Sequence, residues 1–119
     1  MGITRTTVRL LNPAARSRSI AVEMTVDSGA IFSVGPSGIL RRIGVPPEST
    51  ETFTLADGRP VRREMGNVLF EFDGVTRAAP VVFGRRQDAC LLGAVTLEAL
   101  GLRLDPLRRQ LKPLKLMIA

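Results

Sequence analysis

Residues 22–30 read VEMTVDSGA, and the rest of the chain can be interpreted outward from them. Apolar residues alternate with other residues as far as Val26, which is the two-residue period of a strand with one face on a core. The pattern stops at Asp27, Ser28 and Gly29. A buried strand would hold Asp27 rigidly, and Gly29 would let the backbone turn and another chain come close. Asp27 is therefore the candidate reactive acid.

The Ser28 hydroxyl can donate and accept hydrogen bonds, so it could tie the loop to neighbouring backbone and fix the direction of Asp27. However, Asp, Ser and Gly are also the residue types that ordinary surface turns use. On their own, residues 27–29 predict a turn as readily as an active site, and the assignment depends on the rest of the chain.

Composition excludes several kinds of catalysis. The chain has 119 residues, which predicts one domain over residues 1–119, and it contains no histidine. Without histidine there can be no Ser-His-Asp triad, no Cys-His pair and no histidine-bearing zinc motif. Acid, lysine or backbone chemistry remains, and we expect neither a metal nor another cofactor.

Cysteine usage and hydropathy indicate a compartment. The single cysteine, Cys90, lies in an apolar run at residues 89–92, where a small buried hydrophobe is expected rather than a reactive thiol. The lack of a disulfide framework fits a reducing environment. Residues 1–9 carry charges where a secretory signal needs an apolar segment, and no stretch approaches membrane-spanning length. We therefore predict a cytoplasmic protein with no membrane partner.

The net charge of +6, with a pI of about 11.2, raises the alternative of a nucleic-acid partner. Trp and Tyr are absent, no helix-turn-helix or finger pattern occurs, and the five Phe lie mostly in strand-like context. Solvated strand faces and loops are the preferred interpretation of the basic residues, and no nucleic-acid partner is expected.

The remaining patterns predict a mostly β chain. Asp57-Gly58 and Asp73-Gly74 are tight-turn dipeptides between strand-like runs. Apolar residues fall at odd positions before Gly66 and at even positions after it. This change predicts a bulge or bend there. It also predicts that the outer half of the first hairpin projects from the body, as a lid would need. Predicted strands cover residues 3–11, 20–26, 30–34, 50–55, 60–72, 79–83, 89–92 and 102–104, with a polar bend at 14–19 and short helices at 39–43 and 94–100.

The order of these parts resembles the retropepsin-like aspartic proteases, and most closely the small bacterial single-domain members of that clan. The chain carries VDSGA at residues 26–30 and LLG at residues 91–93, with a projecting hairpin between them. Neither segment is specific alone, but their order and separation are. The resemblance covers roughly residues 20–105. It implies an all-β, closed or partly closed acid-protease barrel with a flap hairpin and one or two short helices.

The resemblance also implies roles for individual residues. Asp27 would be the catalytic acid, and Ser28 and Gly29 would support its loop, with the Ser28 hydroxyl locking the loops of two subunits together. The hairpin tip would be the flap. The residues expected to contact substrate are Ala30, Leu55, Asp57, Gly58 and Leu91.

Two positions depart from the retroviral pattern. Ile31 stands where many retroviral members have an acidic residue, and Ala94 stands where they have an arginine. In those relatives the two side chains pair with one another near the dimer interface. Because both members of the charged pair are replaced here, neither charge is left without its partner. The replacement also removes one dimer contact.

The implied activity is that of an aspartic endopeptidase acting on peptides or proteins. This route needs two carboxylates that share a proton, and the chain holds one Asp-Ser-Gly, so we expect a homodimer with one Asp27 from each subunit. Residues 106–119 either join the dimer interface or stay loose. Arg59, Arg62 and Arg63 near the flap predict a preference for acidic flanking residues in the substrate. The alternative is a catalytically silent dimerisation or peptide-binding module on the same fold.

Overall fold

The computed structural model describes residues 2–115 and residue 118. Each predicted strand and helix has a counterpart in these residues, although several bounds differ. Neither helix of the described chain is long and apolar enough to cross a membrane. The strands are β1 (Arg5–Asn12), β2 (Ala15–Val26), β3 (Ser33–Pro36), β4 (Ser49–Thr54), β5 (Pro60–Phe72), β6 (Val75–Gly84), β7 (Leu91–Leu92), β8 (Leu102–Asp105) and β9 (Gln110–Pro113), and the helices are α1 (Ser37–Arg42) and α2 (Ala94–Ala99).

The main sheet closes on itself. Seven strands follow the order β1-β2-β7-β3-β6-β5-β4, and β1 also pairs with β5 through residues 9–11 and 69–71. The first six strands of that order therefore form a ring, and β4 extends from it. Closure pairs edges that an open sheet would expose. The predicted all-β barrel with two short helices is confirmed.

The core fills this ring. Burial of each large apolar side chain contributes roughly 1.5–3 kcal/mol. Strand β1 contributes two side chains to the core, Val8 and Leu10. The packed core therefore begins before residue 20, although the family resemblance in the sequence begins only there. The most deeply buried side chains of the core include Val8, Leu10, Met24, Leu40, Val45, Val68, Phe70, Val81 and Leu92.

The turn between β1 and β2 is tighter than predicted. The polar bend expected over residues 14–19 is wrong, because β2 already begins at Ala15. The buried Asn12 side chain provides hydrogen-bond partners for the turn backbone: its Oδ1 accepts from Ala14 N–H at 2.7 Å and from Ala15 N–H at 3.2 Å. Its Nδ2 donates to Ile43 O at 2.8 Å. The polar residues that follow can therefore extend the strand with their side chains in solvent.

β4 and the outer part of β5 form the projecting hairpin, which we call the flap and define as residues 49–64. Its strands pair in an unbroken register from Ser49 opposite Met65 to Thr54 opposite Pro60. At the tip, the Leu55 N–H donates to the Arg59 carbonyl at 2.8 Å, and the Gly58 N–H donates to the Leu55 carbonyl at 2.9 Å. The flap is thus a regular hairpin attached to the barrel at one end.

Of the bulge or bend predicted near Gly66, the bulge is absent, since the register runs through this residue without a shift. The apolar residues shift from odd to even positions because β5 passes from the flap into the barrel, where it pairs with β6 and then with β1. Glycine is needed here for a close approach: a Cβ on Gly66 would lie 2.7 Å from the Pro46 carbonyl oxygen.

The C-terminal residues form a second, two-stranded sheet. β8 pairs with β9 from Leu102 opposite Pro113 to Asp105 opposite Gln110, so this part of the predicted tail is not loose. A role at a dimer interface stays a prediction. Residues 116, 117 and 119 of the predicted tail lie outside the described residues.

Candidate active site

Asp27 directly follows a strand that is paired on both edges. β2 pairs with β1 along one edge and, in parallel, with β7 along the other, through Thr25 opposite Leu91 and Val26 opposite Leu92. The Asp27 N–H donates to the Leu92 carbonyl at 3.0 Å, so this pairing continues into the loop. The backbone of the acid is therefore held by segments far apart in the sequence.

The loop's own backbone orients the carboxylate. The Gly29 N–H donates to Asp27 Oδ1 at 3.0 Å, and the Ala30 N–H donates to the Asp27 carbonyl at 3.1 Å. The Ser28 side chain is exposed, so within one subunit the orienting role predicted for its hydroxyl is filled by Gly29 N–H. A Cβ on Gly29 would lie 3.2 Å from Asp27 Oδ1, so the glycine also leaves room for the acid.

Helix α2 braces the same loop. The helix starts after Gly93 without a side-chain cap, and the amides of Ala94 and Val95 donate to the carbonyls of Ala30 at 2.8 Å and Ile31 at 3.0 Å. The first amides of a helix lack partners inside the helix. Here the loop after Asp27 supplies them, so loop and helix are held together.

A buried hydroxyl pair lies next to this brace. Ser33 Oγ and Thr96 Oγ1 are 2.6 Å apart, and the Gly93 N–H donates to Ser33 Oγ at 2.9 Å. Both residues are fully buried. Ser33 thereby joins β3 to the start of α2. Nothing in the local sequence pattern singles these residues out, because they are 63 positions apart.

Ser33→Ala is expected to lower the free energy of unfolding by roughly 1–3 kcal/mol, because it leaves Gly93 N–H and the Thr96 hydroxyl buried without their partner. Thr96→Val removes one hydrogen bond and keeps the bond from Gly93, so its cost should be smaller. Urea unfolding of both variants measures the difference. A larger loss in Thr96→Val would contradict the role assigned to Ser33.

A cleft of about 610 Å³ opens between the Asp27 loop, the flap and the segment that leads to β7. Four predicted site residues line it together: Asp27, Ala30, Leu55 and Leu91. An apolar cleft with few polar groups suits a ligand whose side chains are buried and whose orientation is fixed at a few points. The other apolar side chains of the lining include Ile31, Phe32, Val34, Phe53, Val61 and Val82.

The flap tip stands apart from this lining. Asp57 and Gly58 are exposed, and Asp57 is engaged with its neighbour: Oδ1 accepts from Arg59 N–H at 3.0 Å and Oδ2 accepts from Arg59 Nε at 2.8 Å. The structure therefore does not bring these two predicted substrate residues to the cleft wall. Their contact with substrate stays a prediction that requires the flap to close.

The cleft wall contains an ion pair that the sequence interpretation missed. Arg63 Nε donates to Asp88 Oδ2 at 2.7 Å, and Arg63 Nη2 donates to Asp88 Oδ1 at 3.0 Å. Hydrogen bonding to the Arg63 guanidinium holds the pKa of the Asp88 carboxyl below its ordinary value. Since Arg63 is engaged in this way and Arg59 is paired with Asp57, the predicted preference for acidic flanking residues rests on Arg62 among these three arginines. One signal in the sequence could have placed Arg63 in the cleft wall: on a strand, residues two apart share a face, so Arg63 lies on the same face as the apolar Val61.

Asp27 also lines a second pocket, of about 500 Å³. The N-terminal residues 2–4 and the turn between β8 and β9 supply much of its wall. Two large apolar side chains of this wall face solvent, Ile3 at 62% and Leu107 at 94% exposure. Asp27 is thus accessible from a surface that carries uncovered apolar groups.

Cys90 is half-buried against the core, and burial raises the pKa of its thiol to about 11. The thiol is therefore protonated at neutral pH, as expected of a packing residue. In the part of the chain that the structure describes, no group of three or more Cys, Asp or Glu is arranged to hold a metal ion.

Comparison with known proteins identifies the fold. No family model matches this chain, and no curated protein matches its sequence. EIAV protease complexed with the inhibitor HBY-793 matches in structure with a TM-score of 0.61 at 17% sequence identity, over 87% of this chain and 93% of that chain. The solution structure of simian foamy virus (mac) protease matches with a TM-score of 0.52 at 17% identity, over 78% of this chain and 92% of that one. The chain therefore has the fold of the retropepsin-like aspartic proteases.

Proposed function

We propose that the chain is an aspartic endopeptidase that hydrolyses peptide bonds as a homodimer, with one Asp27 from each subunit. The observation that carries this proposal is that the cleft of one subunit contains only one carboxyl group, among the described residues, that could share a proton. Of the described residues, Asp27 and Asp88 are the carboxylates that line it. Asp88 is held in the bidentate pair with Arg63, so it is ionised and unavailable to share a proton. A second copy of Asp27 is the remaining source of the second acid.

The mechanism follows from the chemistry of two close carboxylates. Two carboxyl groups within hydrogen-bonding distance cannot both carry a negative charge, so the two Asp27 side chains of the proposed dimer would share one proton. The ionised carboxylate takes a proton from a water as that water attacks the peptide carbonyl carbon. The protonated carboxylate donates its proton to the carbonyl oxygen, which gives a tetrahedral diol. As the C–N bond then breaks, the proton taken from the water passes to the amide nitrogen, and a diol hydroxyl returns one proton to the pair of carboxylates. Ala30, Leu55 and Leu91 would contact the peptide beside the reacting bond.

The second pocket supports the same arrangement. It is lined by Asp27 together with the exposed Ile3 and Leu107, so a partner covering these apolar groups would approach the acid. In a two-fold dimer the same surface of each subunit is covered by the other. In this proposal the exposed Ser28 lies in the loop that faces the partner and can bond across the axis.

The test is peptide cleavage as a function of protein concentration. A library of peptides is screened from about pH 3 to about pH 7, and a cleaved peptide is then used at increasing dilution of the protein. Specific activity should fall as inert monomer forms. Leu107→Arg should move this fall to higher protein concentration, because it places a charge in the apolar surface that the partner would cover, whereas Ala78→Arg on an exposed part of β6 should not. Specific activity independent of dilution in a protein that remains monomeric would refute the proposal.

The silent peptide-binding module is the second candidate. It is favoured by Ile31 and Ala94, which stand where the retroviral proteases have a charged pair, and by a flap tip that lies away from the cleft. Binding of extended peptides without cleavage of any peptide across the pH range would establish this alternative instead.

A further inference from the structure

The Arg63–Asp88 pair is the most buried of the three described ion pairs that involve flap residues, the others being Arg59–Asp57 and Arg41–Glu64. The side chains of Arg63 and Asp88 are 8% and 18% exposed, against 72% and 55% for Arg59 and Asp57. Water screens the exposed Arg59–Asp57 pair, so this pair does little to fix the positions of its side chains. A desolvated bidentate pair holds both side chains in one relative geometry.

The pair is also connected to backbone at both ends. Asp88 Oδ2 accepts a further hydrogen bond from Arg85 N–H at 2.8 Å, and the Asp88 N–H donates to the Arg85 carbonyl at 2.9 Å. On the flap side, Arg63 Nη1 donates to the Arg62 carbonyl at 2.9 Å. All three guanidinium nitrogens and both carboxylate oxygens are engaged, so the two side chains connect the flap to the 85–88 loop with little freedom.

The pair lies where the flap meets the barrel. Arg63 pairs with Glu51 of β4, and two residues later Met65 begins the pairing of β5 with β6. Asp88 belongs to the loop that leads to β7 and Leu91. Arg63, Asp88 and Leu91 all line the cleft. The pair therefore joins two segments of the cleft wall that are separate in the sequence.

Stability alone does not require an ion pair here. Val34, Val61 and Val82 line the same cleft, and apolar residues that fill the space of a buried ion pair are often as stabilising or more so. What the pair adds is direction, because two parallel hydrogen bonds hold the planar guanidinium and the carboxylate in a restricted relative orientation.

We propose that Arg63 and Asp88 are positioning residues that fasten the base of the flap to the 85–88 loop and thereby set the width of the peptide cleft. The consequence for substrate rests on the peptidase function proposed above. The fastening of the flap does not depend on that function.

The fastening is tested by amide hydrogen exchange. Arg63→Met keeps an unbranched side chain and removes the guanidinium. The matched control is Arg62→Met, at an exposed neighbour whose contact with Thr52 Oγ1 is 3.5 Å long. Exchange in residues 49–54 and 60–64 should accelerate at least about tenfold in Arg63→Met alone, while the amides of β1 and β2 keep their protection. Equal flap exchange in the two variants would overturn the proposal.

A double variant separates positioning from packing. Arg63→Met combined with Asp88→Leu leaves neither charge of the pair in the wall, so the fold and its melting temperature should be retained. Flap exchange should remain fast, because an apolar contact does not fix direction. Exchange at the wild-type rate in this variant would mean that the pair only fills space, and the positioning role would be lost.

The consequence for the cleft is read from kinetics on a peptide that the wild type cleaves. Arg63→Met should raise KM about tenfold and leave kcat within about threefold, because cleft width changes and the Asp27 loop does not. Fast flap exchange with an unchanged KM would refute the claim about cleft width. If the wild type cleaves no peptide, the peptidase function fails, and the exchange measurements still decide whether the pair fastens the flap.

Discussion

Asp27→Asn is expected to lower kcat at least about 10³-fold, because the dimer would then carry an amide from each subunit and no carboxylate to take the proton from water. Asparagine keeps the shape of the side chain, and its amide oxygen can still accept the Gly29 N–H. The variant should therefore fold and dimerise as the wild type does. The measurements are kcat on a cleaved peptide and molecular mass by sedimentation. Retained cleavage would contradict the assignment of Asp27.

Mixing subunits tests whether the acid is shared. When wild-type protein exchanges subunits with an equal amount of Asp27→Asn protein, half of the wild-type chains end up in mixed dimers, so total cleavage should fall to about half. Cleavage that stays unchanged or rises after subunit exchange would mean that one Asp27 suffices. The control mixes wild-type protein with Asp73→Asn protein, which should itself be active, so cleavage by the mixture should equal the sum of the two proteins' separate activities. Asp73 lies in the turn between β5 and β6 with φ of 50°, a conformation that asparagine also adopts readily.

Gly93→Ala is expected to lower the free energy of unfolding by roughly 2–4 kcal/mol. A Cβ on Gly93 would lie 2.6 Å from the carbonyl carbon of Phe32 and 2.7 Å from its oxygen. These are backbone atoms, and the hydrogen bonds from α2 to Ala30 and Ile31 prevent an easy shift. The displaced loop carries Asp27, so peptide binding should weaken as well. Thermal or urea unfolding and a peptide titration measure the two effects.

The control for Gly93→Ala is Gly38→Ala, the same change in helix α1. A Cβ on Gly38 would meet nothing within 4 Å. Alanine is a better helix former than glycine and restricts the unfolded chain, so this variant should be neutral or more stable by about 0.5–1 kcal/mol. Similar losses in the two variants would show that the close contact at Gly93 is not the cause.

Local patterns in the sequence predicted the elements that hold Asp27. The alternation before residue 27 reflects a strand with one buried face, and the tight turn at Asp73-Gly74 is a short-range preference. The apolar run before Gly93 likewise marked the strand that pairs with β2. Each of these signals depends on neighbouring residues, so it can be read without knowing the fold.

Contacts between distant residues could not be predicted in this way. The Arg63–Asp88 pair joins residues 25 positions apart, and the extension of β2 back to Ala15 depends on Asn12, whose side chain contacts Ile43. A propensity or a period describes one segment and carries no information about which other segment packs against it.

The parallel pairing of β2 with β7 has a consequence for protein synthesis. Asp27 is made early, but the carbonyl that receives its backbone N–H belongs to Leu92, which the ribosome adds 65 residues later. Pairing between strands so far apart also slows folding, because a long loop must close first. A nascent chain that ends before β7 carries the acid without its anchor. Any hydrolytic activity is therefore delayed until translation has passed residue 92.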